Sequence, residues 1–236
     1  MLTDQRFVAH IDILGMSSLV AKDPKLAWLL LSSLTEARDQ AHNSEITFLD
    51  TATRIAAPDQ VRAVTFSDTI VLFSKGNDLV DLRTTVIVTT ELLNKALHLC
   101  VPIRAGIAVG TFFFNLEKSM FAGPALIEAY HLGEQAQWIG IATSEEVYRR
   151  ANDAEFKSGE SSVVVKTYIP VEGGTTDGYA VNWPAIGRNN LNAPLPVSAE
   201  QIYEGFAQYF GPFEELPAKV RVKYEHTACF INQRGA

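Results

Sequence analysis

The sequence predicts an α+β fold in which helices pack against a mainly antiparallel sheet. Two short apolar runs, Val61 to Phe66 and Thr69 to Phe73, flank Ser67-Asp68 as the arms of a hairpin would. Strand-length runs elsewhere alternate with strongly periodic helical segments. This order, with its early hairpin, suits helices layered on an antiparallel sheet better than the regular alternation of a parallel one.

Taken in chain order, Phe7 to Ile13 is rich in strand formers and stops at Gly15, so strand, tight turn and helix follow one another. Within Lys25 to Ala41, Leu26, Leu29, Leu30, Leu34 and Ala37 recur every three or four residues, and Asp23-Pro24 breaks or restarts the helix. Asn43 to Gln60 is a mixed connection containing proline. After the hairpin, Leu79 to Cys100 is a long periodic helix, and Pro102 opens the strand IRAGIAVG. Thr111 to Phe121 continues antiparallel, Gly123-Pro124 starts the helix ALIEAYHLGEQA, and Ile139 to Ala142 precedes a helix capped around Thr143-Ser144. Val163 to Ile169 and Tyr179 to Trp183 are strands joined through Gly173-Gly174. Asn189 to Pro196 reads as a linker, and Ala199 to Tyr209 and Pro217 to Asn232 as an appended helical pair.

The 236 residues can bury a core without disulfides or structural metal. Hydrophobic residues at 47% and charged residues at 20% exclude a disordered or fibrous chain. A net charge of −7 argues against a nucleic-acid partner, which needs clustered Lys and Arg. Cys100 and Cys229 lack metal or redox spacing, and Cys100 is expected to be buried and reduced. The first residues do not resemble a secretory signal, and no apolar run reaches the roughly 18 residues of a membrane span. No membrane association and a cytoplasmic location are therefore expected.

Asp12 interrupts an apolar strand, where an ionised carboxylate is costly unless a cation compensates it. Gly15 allows a tight turn, and the helix after it begins with free amides suited to phosphate oxygens. Asp68, at the tip of the predicted hairpin, is a second such carboxylate. If the two strands are neighbours, both carboxylates share one edge and can hold two Mg²⁺ or Mn²⁺ ions. The structural alternatives are a helix cap or a buried Arg for Asp12, and ordinary turn chemistry for Asp68.

FVAHIDILGM resembles the opening motif of the nucleotidyl cyclase catalytic domain, FSDTIVLF its second metal-aspartate hairpin, and IRAGIAVG its central strand. GPALIEAYHLGEQA falls on the glycine-initiated helix of the same domain. HIDILG, FSDTIV and GPALIEAY are most similar to the bacterial pyrimidine cyclases of the Pycsar anti-phage defence systems. The resemblance covers roughly residues 7 to 183 and implies a ferredoxin-like cyclase catalytic domain; with the linker from Asn189, the chain is expected to divide into that domain over 1–188 and a C-terminal helical extension over 189–236. It also implies a homodimer with active sites at the interface.

By the same resemblance, Asp12 and Asp68 would bind two divalent ions with help from the Ile13 carbonyl. Amides around Leu14, Gly15 and Met16 would hold the phosphates, and the ribose 3′-hydroxyl would attack the α-phosphorus. The usual purine-reading Lys and Asp are replaced by Val64 and Met120. The implied substrate is therefore a pyrimidine nucleotide, UTP or alternatively CTP. The helix positions that normally supply Asn and Arg read Ile127 and His131. Arg104, in the central strand, is the candidate replacement for charge stabilisation, the alternative being a pairing with a structural carboxylate. His131 is a candidate substrate contact or a surface histidine. Lys157 and Lys166 read as solvated lysines, and Phe48, Phe66 and Phe121 as core aromatics before base-stacking groups. The rival functions are a catalytically silent nucleotide-binding module and, more weakly, a metal-dependent phosphodiesterase.

Overall fold

The computed structural model describes residues 4–48, 52–190 and 196–235. Strand β1 (Gln5–Ile13) leads through a tight turn into helices α1 (Met16–Lys22) and α2 (Pro24–His42). Between the helices, the Asp23 carboxylate accepts from the Lys25 and Leu26 amides at 3.1 and 3.0 Å, and Pro24 takes the first helical position. The predicted mixed connection instead holds a small hairpin, β2 (Glu45–Phe48) and β3 (Thr53–Ala56). The predicted central hairpin is β4 (Val61–Phe66) and β5 (Thr69–Ser74), with Ser67 in the left-handed region at φ 54°. Helix α3 (Leu79–His98) starts on a reciprocal capping box between Asp78 and Asp81.

Strand β6 (Ile103–Thr111) does not run on to Phe121. The chain leaves the main sheet for a short hairpin, β7 (Phe113–Asn115) and β8 (Met120–Ala122), before α4 (Pro124–Gln135). Then come β9 (Ile141–Thr143), α5 (Glu145–Asp153), the two-residue strands β10 (Lys157–Ser158) and β11 (Ser161–Ser162), and the long pair β12 (Val164–Val171) and β13 (Gly174–Val181). Trp183 was expected to end a strand but opens α6 (Trp183–Asn190). Asn189 and Asn190 therefore belong to a helix, and residues 191–195 of the expected linker lie outside the described residues.

Seven strands form one sheet in the order β12-β13-β9-β6-β1-β5-β4. Every neighbouring pair is antiparallel except β6 and β9. Side chains alternate across it. Phe7, Ala9, Ile11 and Ile13 of β1 enter the main core with residues of α2 and α3, whereas Val8 joins Val71, Phe73, Phe112 and Ala125 on the α4 side. Helix α4 lies close to the sheet because β6 offers glycine there. A Cβ on Gly106 would stand 2.1 Å from the Ala129 carbonyl oxygen and 2.7 Å from the Gly133 nitrogen.

The tail is no loose appendage. Helices α7 (Ala199–Tyr203) and α9 (Ala218–Gly235) place Tyr203, Tyr224, Phe230 and Ile231 in the main core, joined by Phe206 from the 3-10 turn that leads into α8 (Ala207–Phe210). Helix α9 grips the segment after α4: the Ile139 amide donates to the Thr227 hydroxyl at 2.9 Å, His226 Nδ1 bonds the Gln137 carbonyl at 2.8 Å, and the rings of Phe230 and Trp138 meet at 4.8 Å. Cys100 is half-buried, not buried, because it ends α3 in a left-handed turn at φ 57°; burial nonetheless raises its thiol pKa, and both cysteines are free. Among the described residues, no helix is long and apolar enough to cross a membrane.

Candidate active site

Strand pairing brings the chemistry-bearing residues to one edge of the sheet. Asp12 is the cross-strand partner of Thr69 on β5 and of Arg104 on β6, so Asp68, one residue before Thr69, and Arg104 flank it. Asp12 is in phase with Val8 and His10, whose ring meets Tyr130 of α4 edge-on at 5.2 Å. It therefore faces the α4 side of the sheet.

Arg104 Nη2 donates to Asp12 Oδ2 at 3.3 Å and also pairs with the Glu134 carboxylate, while its Nη1 donates to the Glu134 carbonyl at 2.8 Å. Both ends of the Asp12 contact are largely sequestered, with side-chain exposures of 10% for Arg104 and 19% for Asp12. Arg104 Nε is buried with no hydrogen-bond partner among the described residues, a donor left over in an otherwise engaged guanidinium. The structural alternative for Asp12, a pairing with a buried arginine, is thus present.

That arginine does not fully compensate the carboxylate. Burial is the largest influence on Asp12 and pushes its pKa up to about 6, opposed by Arg104 and reinforced by the charges of Glu134 and Asp68. His10 is held below its ordinary range, first by burial. Lys223 of α9 is also lowered, by burial first and then by Arg104, with Glu134 and Asp12 acting in the opposite sense. Lys223 therefore stands within electrostatic reach of this edge, which the helical pattern of the tail did not reveal.

No cluster of three His, Cys, Asp or Glu able to hold a metal occurs among the described residues. The donor set nevertheless fits Mg²⁺ or Mn²⁺, since such ions are commonly held by one or two carboxylates together with water and substrate phosphates. Asp12 and Asp68 would supply that pair, and the raised pKa of Asp12 marks a buried carboxylate that another cation would stabilise.

The other sequence-predicted residues distribute around this edge. Gly15 turns the chain at φ 79°, with open space where a Cβ would lie. The Leu14 amide donates to the Pro102 carbonyl at 2.8 Å and is therefore engaged, which removes it from the expected row of phosphate-binding amides. Met16 is buried as the first residue of α1. Val64 and Phe121 both pack against the α4-side cluster, and Phe121 meets Phe66 at 5.1 Å; Met120, next in the chain, is 60% exposed. His131 is exposed on α4, where its ring meets that of Tyr130 at 5.3 Å. Phe48 is buried beneath Arg83, whereas Phe66 is exposed at the end of β4, so the core reading holds for the first and fails for the second.

This arrangement is the fold of nucleotidyl cyclase catalytic domains, an α+β unit with a mainly antiparallel sheet, helices packed on it and a C-terminal helix. An adenylate cyclase from Trypanosoma brucei, solved in its monomeric state, superposes with TM-score 0.54 at 14% identity over 77% of this chain and 89% of its own. The catalytic core of a rhodopsin-guanylyl cyclase with converted specificity, in complex with ATPαS, gives TM-score 0.53 at 14% identity over 75% and 94%. A bacterial light-regulated adenylyl cyclase gives 0.51 at 12% identity, this chain covering 76% of itself and 52% of that protein. No protein-family model matches the sequence, and no curated protein does.

Proposed function

We propose that this protein is a nucleotidyl cyclase acting on a pyrimidine nucleoside triphosphate, UTP giving 3′,5′-cyclic UMP and pyrophosphate, with CTP to cyclic CMP as the alternative substrate. The observation that carries the proposal is the juxtaposition of Asp12, Asp68 and Arg104 on three adjoining strands. Two carboxylates that can hold cations lie there beside a guanidinium with a spare buried donor.

Asp12 and Asp68, with the Ile13 carbonyl, would hold the divalent ions. When bound, the ions supply Lewis acidity toward the ribose 3′-hydroxyl and screen the triphosphate. The 3′-oxygen bonds to the α-phosphorus as its proton passes to solvent water, and the bond from the α-phosphorus to the bridging β-phosphate oxygen breaks to release pyrophosphate. Arg104 contributes positive charge where the transition state accumulates negative charge, held in aim by Glu134. The backbone at Gly15 and Met16 would approach the phosphates. Val64 and Met120 would line the base side with apolar side chains, which offer no paired polar contacts to a purine edge.

A homodimer is supported by the α4 side of the molecule, where Phe113, Met120, Ile127 and Tyr130 remain exposed. His131 on the same face would meet substrate bound mainly by the partner subunit. A cytoplasmic second-messenger role in anti-phage defence is supported by the HIDILG, FSDTIV and GPALIEAY phrases.

Incubation of the purified protein with Mn²⁺ and each of the four ribonucleoside triphosphates tests the proposal. Cyclic AMP as the sole product would exclude the pyrimidine assignment. A second reading, a silent nucleotide-binding module, is favoured by Ile127 and His131 where the resemblance expects Asn and Arg. Metal-dependent nucleotide binding without pyrophosphate release would establish it.

A further inference from the structure

We propose that Lys223, assisted by Lys219 one turn earlier on α9, binds the phosphate chain of the nucleotide, so that the C-terminal helix forms one wall of the active site. The inference rests on the reading of a nucleoside triphosphate as substrate.

A cavity of about 1010 Å³ lies between α9 and the turn after β1. Leu14, Gly15 and Ser18 line it from the turn; Lys219, Lys223 and His226 line it from α9. Its size is at the upper end of the roughly 300–1,000 Å³ usual for small-ligand sites. Lys22 adds a third ammonium to the wall. Of the acids there, Asp23 is engaged in capping α2, and Glu172 stands in the β12–β13 turn.

Lys223 is half-buried, yet its ammonium makes no hydrogen bond or ion pair among the described residues. A sequestered ammonium without an anion is costly. Arg104 adds to that cost as a second cation, and Asp12 and Glu134 offset it only through longer-range attraction. A polyphosphate entering from the Gly15 side would supply the missing anion. The helix is rigid enough to hold this position, because Thr227, His226 and Phe230 fasten it to residues 137–139. Lys219 is exposed at the mouth and would meet the outer end of the phosphate chain.

Binding of inorganic tripolyphosphate with Mn²⁺ to the full chain, followed by calorimetry beside UTP turnover, tests this. Lys223→Gln should weaken tripolyphosphate binding by about tenfold or more, the worth of one charge-assisted hydrogen bond, while the ligand-free melting temperature holds or rises because the uncompensated buried charge is gone. Lys223→Arg should retain binding, and Lys219→Gln should weaken it less. Binding to K223Q within about twofold of wild type, or no tripolyphosphate binding by wild type, overturns the inference. Protection of Lys223 from acetylation by tripolyphosphate, read by peptide mass spectrometry on the wild-type chain, needs no variant, and a lack of protection overturns it equally. A chain that binds tripolyphosphate through Lys223 but turns over no nucleotide would leave this site standing and remove the cyclase assignment. A working cyclase whose KM and tripolyphosphate binding ignore K223Q would do the reverse.

Discussion

Asp12 and Arg104 are cross-strand partners on β1 and β6, and the arginine that lies 3.3 Å from Asp12 is shared with Glu134. One guanidinium thus stands between two carboxylates. Removing either neighbour should move the protonation of Asp12 in opposite directions. Glu134→Gln takes away a charge that raises Asp12, so the pH midpoint of Mn²⁺ binding should fall; Arg104→Gln should lift it and depress turnover. Titrations of Mn²⁺ affinity against pH in the two variants check the signs, and a shift of both in one direction would contradict the network.

The wild-type pH dependence follows from the same carboxylate. Asp12 is raised to about 6, so between an unfolded-state value of about 4 and that point the native chain holds a proton the unfolded chain has released. Its contribution to stability is therefore complete at low pH and is lost as pH rises through this window. A divalent ion competes with that proton, so Mn²⁺ affinity should climb over the same range and level off above it. Thermal shifts with and without Mn²⁺ at about pH 5 and about pH 8 would show the difference.

Asp12→Asn and Asp68→Asn should each lower turnover by about a thousandfold, the scale of losing metal-based charge stabilisation worth several kcal/mol. The folded chain should persist in both, since Asn keeps the side-chain shape. Pyrophosphate release and Mn²⁺-induced stabilisation should disappear together, and retention of either in D12N would count against the metal assignment.

Gly106→Ala should destabilise the protein by about 3 kcal/mol, because the added methyl would collide with backbone on α4 that cannot rotate away. Denaturant unfolding measures it. A neutral result would mean that α4 packs farther from β6.

Ile127→Glu places a charge on an exposed apolar position, 58% accessible, at the proposed subunit contact. Light scattering should show a dimer for wild type and a folded monomer for the variant, with turnover lost. An unchanged oligomeric state would remove α4 from the interface.

Much of this architecture was legible where local signals agree. The β4–β5 hairpin matched its predicted arms because Ser67-Asp68 separates two strand-forming runs, of which Thr69–Ser74 carries the continuous apolar stretch. Pro24 and the Asp23 cap fixed the start of α2. The β2–β3 hairpin was missed because its arms are only four residues each: Ile46 and Phe48 do alternate with polar residues in β2, but so short a run does not establish a period, and β3 shows none. Trp183 misled in the other direction, since an apolar residue directly after a strand does not by itself separate the end of that strand from the start of a helix. Asp12, Asp68 and Arg104 were visible as charges in apolar segments, but Glu134 and Lys223 were not. Both lie on ordinary helical patterns, and only tertiary docking brings those helices to the sheet edge.

The pairing of β1 with two partners carries a kinetic consequence. Its neighbours β5 and β6 lie far along the chain, so neither contact is local and alignment must be found against substantial loop entropy. A slip of one residue would not merely displace Asp12; it would turn the carboxylate into the hydrophobic interior and push Ile11 and Ile13 outward. The folding landscape therefore penalises misregistered states heavily, and the same hydrophobic alternation that drives β1 home also proofreads the position of its one acidic side chain.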